Sequence, residues 1–86
     1  LSREEWEALL SRMLGEQEDC CALTGLPLGY VDETDDLQMR PSLDRIDSSG
    51  HYTPDNVQIV CRFMNRWKGA DNDELVRRLL EILRRD

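Results

Sequence analysis

Five side chains in the stretch PSLDRIDSSGHYTPDNVQIVCRFMN, Pro41 to Asn65, are of types that handle metal ions and phosphate: Asp44, Arg45, His51, Asn56 and Asn65. Asp44 and Asn65 both offer oxygen to a hard divalent cation such as Mg²⁺, which takes few protein oxygens and keeps waters that a phosphate can replace. Such an ion neutralises the charge that develops when a phosphodiester is hydrolysed and stabilises the leaving oxygen, while a base activates water. Arg45 is not that base, because a guanidinium stays protonated at neutral pH. It suits a phosphate clamp, donating two parallel hydrogen bonds. His51, the only histidine, is of the type that exchanges protons near neutrality. A lone loop histidine is, however, more often an exposed bystander. Tyr52 reads as a packed ring or a phosphate donor, and Asp47 as a turn cap or an ion-pair partner of Arg62 or Arg66. Asn56, directly after Pro54 and Asp55, is also ordinary turn chemistry.

These residues need elements to hold them. Ser42 to Asp47 alternates apolar and polar, with Leu43 and Arg45 on one face and Asp44 and Ile46 on the other, as in a short strand. Ser48, Ser49 and Gly50 turn the chain, and Val57 to Val60, rich in β-branched residues, is expected to pair antiparallel with the first strand. Cys61 to Lys68 reads as a helix closed by Gly69. Strand, loop, strand and helix together would bring Asp44 near Asn65. Upstream, Ser2 and Glu5 form a capping box for a helix over 1–15, with Trp6, Leu9, Leu10, Met13 and Leu14 as its buried stripe and Gly15 as its stop. Residues 16–40 read mostly as loop. The acidic run Asp32 to Asp36 lacks EF-hand spacing and reads as a solvated surface rather than a Ca²⁺ loop. A last helix over 71–85 is expected to start at Asp71 with Glu74 reaching back. Leu75, Val76, Leu79, Leu80 and Leu83 face its core side, and Arg77, Arg78, Arg84 and Arg85 are solvated and matched to its dipole.

The chain has 86 residues and a formal net charge of −7, which suits one small domain, 1–86, and argues against a simple basic DNA-binding module. The charge is uneven: residues 1–40 carry three basic and ten acidic side chains, residues 41–86 eight of each. The stretch from Arg45 to Lys68 is the least acidic, and Arg62, Arg66 and Lys68 are its candidates for a phosphate backbone. Three cysteines, two of them adjacent, are a poor disulfide framework and point to a reducing, cytoplasmic compartment. No apolar run spans a membrane, the start is not a signal peptide, and a first residue other than Met fits a piece of a longer chain. Cys21-x-x-Thr24 and Cys61-x-x-Met64 each begin like half of a zinc knuckle, but both lack the second thiolate, so a structural zinc is not expected.

With Asp44, Asn56 and Asn65 so spaced, and Asn65-Arg66-Trp67-Lys68-Gly69 at the helix end, residues 41–69 resemble the HNH endonucleases. Ser-Leu-Asp-Arg-Ile-Asp, residues 42–47, is similar to a form found in phage-type members. The resemblance implies an α+β fold with a ββα-metal core flanked by N- and C-terminal helices, and a domain that hydrolyses DNA with Mg²⁺ or Mn²⁺. It implies Asp44 and Asn65 as metal ligands and Asn56 as the residue tying the long loop to the hairpin. Cys21 and Cys61 would be remnants of a lost zinc site, and the setting a bacterial or phage-infected cell. Arg45 stands where the family keeps its general-base histidine. The alternative is therefore a catalytically impaired module that binds nucleic acid or a protein within a larger chain. The acidic surface implies that further affinity comes from other domains or a second subunit.

Overall fold

The computed structural model describes residues 1–30 and 35–85. Its elements are α1 (Arg3–Glu16), a short 3₁₀ turn (Leu37–Met39), β1 (Pro41–Arg45), β2 (Val57–Cys61), α2 (Arg62–Lys68) and α3 (Asp73–Leu83). Among the described residues the fold is α+β, with three α-helices and one antiparallel hairpin.

Alternation along the hairpin decides what each helix meets. β1 and β2 pair with Leu43 opposite Ile59, Asp44 opposite Gln58 and Ser42 opposite Val60. Successive side chains point to opposite faces, so Leu43 and Ile59 share one face while Ser42, Asp44, Gln58 and Val60 share the other. Leu10 and Leu14 of α1 line a cavity together with Leu43 and Ile59. On the second face α2 crosses the hairpin, its Asn65 bonded to β1. With a helix on each side, all five residues of β2 are buried. That explains a strand that reads VQIVC instead of alternating with polar residues.

α1 carries the expected capping box: Ser2 Oγ accepts from Glu5 N at 3.1 Å, and Glu5 Oε1 from Ser2 N at 3.1 Å. Leu9 and Met13 are buried, with Trp6, Leu10 and Leu14 packed beside them. The helix does not stop at Gly15. It runs through Glu16 with Gln17 as C-cap, and Glu18 and Asp19 make the turn with φ of 54° and 56°. Gln17 acts as a main-chain surrogate for β2: its Nε2 donates to Ile59 O at 2.8 Å and its Oε1 accepts from Ile59 N at 3.1 Å. The end of α1 is thereby tied to β2.

Other boundaries also differ from the expectation. β1 ends at Arg45, not Asp47, and Cys61 closes β2 rather than opening α2. Gly69 does end α2, at φ 53°. The cap of α3 is Asn72, without a side-chain bond, in place of Asp71. Val76 is buried, whereas Leu83 is 72% exposed and lies outside the core. Arg77 and Arg84 are not simply solvated: Arg77 Nε pairs with Asp73 Oδ2 at 2.8 Å, and Arg84 Nη2 donates to Thr24 O at 2.8 Å. Of the acidic run, Asp32 to Thr34 lie outside the described residues, while Asp35 and Asp36 are exposed. No helix among the described residues is long and apolar enough to cross a membrane.

Candidate functional site

The seam between the hairpin and α2 gathers most of the chemistry. Asn65, in the middle of α2, donates from Nδ2 to Ser42 Oγ at 2.6 Å and to Leu43 O at 3.2 Å. One turn further along the helix, Lys68 points down the same seam onto Asp44. Its Nζ donates to Asp44 Oδ2 at 2.7 Å, to Arg45 O at 2.7 Å, and more distantly to Asp73 Oδ1 at 3.3 Å and Ile46 O at 3.4 Å. The Lys68 side chain has no solvent exposure. Lys68 therefore does not reach a phosphate backbone, correcting its place among the nucleic-acid contacts. An ammonium in that position is held by desolvated oxygens and presents nothing to solvent.

Gln58 completes the cluster. Its Nε2 donates to Asp44 Oδ2 at 2.9 Å and to Asp73 Oδ1 at 2.7 Å. Burial alone would raise the Asp73 carboxyl, but hydrogen bonds from Arg77, Gln58 and Lys68 outweigh it and hold the group below the usual carboxylate range. Two carboxylates, an ammonium and an amide thus bind β1, β2, α2 and α3 at one point. The sequence reading missed Gln58 and Asp73. A polar residue inside the apolar run of β2 was the available signal for Gln58, and Asp73 looked like an ordinary first-turn acid.

Asp44 and Asn65, the two expected metal ligands, lie on the same seam but share no hydrogen-bond partner. Asp44 Oδ2 with the carbonyl oxygens of Arg45 and Ile46 is a hard-oxygen set of the kind Mg²⁺ or Mn²⁺ takes. All three oxygens accept from the Lys68 ammonium, which fills the place an ion would need. Among the described residues no three His, Cys, Asp or Glu side chains cluster for a metal.

Arg45 leaves the strand on the opposite face from Asp44. Its guanidinium lies 5.1 Å from the centre of the Tyr52 ring, and Nη1 donates to Gly50 O at 3.0 Å. This contact orients the guanidinium while the Tyr52 ring remains about half exposed. His51 is exposed on the same loop. Asp47 caps the turn, accepting from Ser49 N at 3.0 Å and Ser49 Oγ at 2.7 Å, and those bonds lower its carboxyl pKa. It makes no ion pair with Arg62 or Arg66, both of which are exposed.

Asn56 organises this loop. Its Oδ1 accepts from Asp47 N at 2.9 Å, and its Nδ2 donates to Asp47 O at 3.0 Å and His51 O at 2.9 Å. A Cβ at Gly50 would stand 2.7 Å from that Nδ2, so glycine is needed for the close approach. Asn56 touches the backbone on both sides of the turn and positions it. Nothing in this geometry gives it a reacting partner.

The half-knuckles also meet. Cys21 and Cys61 are both buried, and Ala22 N donates to Ile59 O at 3.0 Å, holding their segments together. Burial opposes ionisation of Cys21, but hydrogen bonds from the Thr24 hydroxyl and from main-chain N–H groups of Thr24, Cys61 and Leu23 bring its pKa below that of an ordinary thiol. Cys61 is pushed up to about 11 by burial and by the neighbouring Cys21. Compared with known proteins, the chain matches no family model, no curated protein and no solved structure.

Proposed function

We propose that this chain is an HNH-type ββα domain that acts on DNA, hydrolysing phosphodiester bonds with a divalent cation, Mg²⁺ or Mn²⁺. The observation that carries the reading is the seating of Asn65 on the β1 main chain at Leu43. It sets this side chain one strand residue from Asp44, on the helix–hairpin seam. When bound, the ion would supply charge neutralisation at the phosphate and at the leaving oxygen. The chain's own residues do the rest. Asn56 fixes the loop, and the Tyr52 ring orients Arg45, whose guanidinium binds phosphate oxygens. His51, exposed on that loop, is the side chain that takes the proton from water.

A second reading is a domain of the same type that binds nucleic acid or a protein partner without cutting. The Lys68–Asp44 bond at 2.7 Å favours it, because an Asp44 committed to an ammonium is closed to an ion. Plasmid DNA incubated with Mg²⁺ or Mn²⁺ separates the two. Nicking by the wild type that is lost in both Asp44→Ala and Asn65→Ala supports the nuclease. Retention of a folded, DNA-binding protein with no nicking supports the second reading, and nicking insensitive to both changes removes the site assignment.

A further inference from the structure

We propose that Tyr52 is a stacking platform for a nucleobase, so that the DNA taken by this loop is single-stranded, with Arg45 reaching the phosphate beside the stacked base. This deepens the proposed function and rests on its reading of the Arg45 loop as the side that faces DNA. It requires neither a metal nor cutting.

The loop between β1 and β2 is built to hold one ring outwards. His51 O accepts from Thr53 N at 2.9 Å, which puts Tyr52 at the centre of a three-residue turn. The same carbonyl accepts from Asn56 Nδ2 at 2.9 Å, and Thr53 O accepts from Asn56 N at 2.9 Å, so the backbone on both sides of Tyr52 is tied down. Tyr52 is nonetheless 53% exposed. The Arg45 guanidinium lies 5.1 Å from the centre of the ring, and its Nη1 is bonded to Gly50 O. One face of the ring thus carries a cation, and the exposure falls on the rest. A base that stacks there meets a ring whose backbone is already ordered, which lowers the entropy cost of binding.

Charge decides what covers the ring. Residues 45–56 hold one basic side chain, Arg45, against two acidic ones, Asp47 and Asp55. Both carboxylates are fixed on the loop, Asp47 by Ser49 Oγ at 2.7 Å and Asp55 by Thr53 Oγ1 at 2.7 Å. A duplex turns its phosphates outwards and keeps its bases stacked inside, so a loop with this balance gains little from it. An unpaired base offers an uncharged face, and stacking on an aromatic ring tolerates any base. One cation beside one ring matches one phosphate beside one base, the repeat of a single strand.

The test measures fluorescence anisotropy of three labelled probes of equal length with the 86-residue chain: oligothymidylate, its duplex with oligoadenylate, and an abasic strand. Low salt and EDTA keep metal and cutting out of the reading. Wild type is expected to bind oligothymidylate about fivefold or more tightly than the duplex or the abasic strand, the gain from stacking one base. Tyr52→Ala should lose that gain and Tyr52→Trp should keep it. On the abasic strand Tyr52→Ala should match the wild type, whereas Arg45→Ala should weaken binding to both strands, since both carry phosphate. A duplex or an abasic strand bound as tightly as oligothymidylate overturns the proposal, as does no binding of the single strand at all. A Tyr52→Ala loss of equal size on the abasic strand overturns it too, because Tyr52 would then act only through Arg45. The wild-type comparison needs no variant, so it decides even where Tyr52→Ala fails to fold by circular dichroism. Plasmid nicking is scored separately: Tyr52-dependent binding without nicking leaves the platform standing and removes the nuclease reading, while nicking without a single-strand preference does the reverse.

Discussion

Lys68 Nζ stands 2.7 Å from Asp44 Oδ2 and 2.7 Å from the carbonyl oxygen of Arg45, with its side chain wholly buried. Removing one partner of a buried ion pair leaves an uncompensated charge, which typically costs about 3–5 kcal/mol. Lys68→Met should lower stability by that order in urea unfolding. Asp44→Leu/Lys68→Met should cost less than the sum of the two single changes, because the second removes the charge that the first orphaned.

Asn56 makes three side-chain hydrogen bonds to the backbone of the turn. Asn56→Ala deletes them all and should destabilise by about 1–3 kcal/mol. Asn56→Asp keeps the acceptor for Asp47 N but loses both donors, so it should fall short of the wild type too. Amide hydrogen exchange at Asp47 should rise in both variants.

The Asp73 carboxyl is held below its ordinary value in the folded chain. Its ionised form contributes stability that is present above the unfolded carboxylate range, near pH ~4, and is lost as pH falls through the lower folded value. The urea midpoint should therefore drop on acidification below about pH 4. Asp73→Asn should flatten that part of the profile while lowering the plateau at neutral pH.

Cys61 behaves in the opposite sense. Its folded pKa is raised to about 11, so its contribution is complete below the unfolded thiol value and is lost as pH rises towards 11. Cys20 is the thiol that is not buried. At pH 8 a thiol reagent should label one cysteine quickly and all three only in denaturant, with peptide mapping placing the fast site at Cys20.

Arg45 is held by a ring and a carbonyl, and a lysine does not reproduce its planar fork. Under the proposed function, Arg45→Lys should reduce plasmid nicking by about tenfold or more, the loss of one charge-assisted pair of hydrogen bonds. The melting temperature should change little. Tyr52→Ala should give a smaller reduction in nicking, because it removes the contact that orients the guanidinium but leaves the guanidinium itself.

Local chemistry determined much of this chain. The capping box at Ser2 and Glu5, the β-branched run of β2 and the stop at Gly69 depend on neighbours a few residues away, and all of them were legible. Boundaries set by competition were not. Gly15 is a suitable stop, yet α1 continues because Gln17 finds Ile59, distant in sequence. Asp71 is a suitable cap, yet α3 begins later because the Asp73 carboxylate is drawn inward to Gln58 and Lys68.

The same division holds at the site. Residue types and spacing placed Asp44, Asn65 and Lys68 on one hairpin and one helix. By sequence alone Lys68 was indistinguishable from any basic residue at a helix C-terminus, where solvent and the dipole both favour it. Only packing decided otherwise. α2 crosses the hairpin with Asn65 over Ser42, and a helix repeats its face every three to four residues, so Lys68 must fall on Asp44. There the desolvated carboxylates and carbonyls leave the ammonium no better partner.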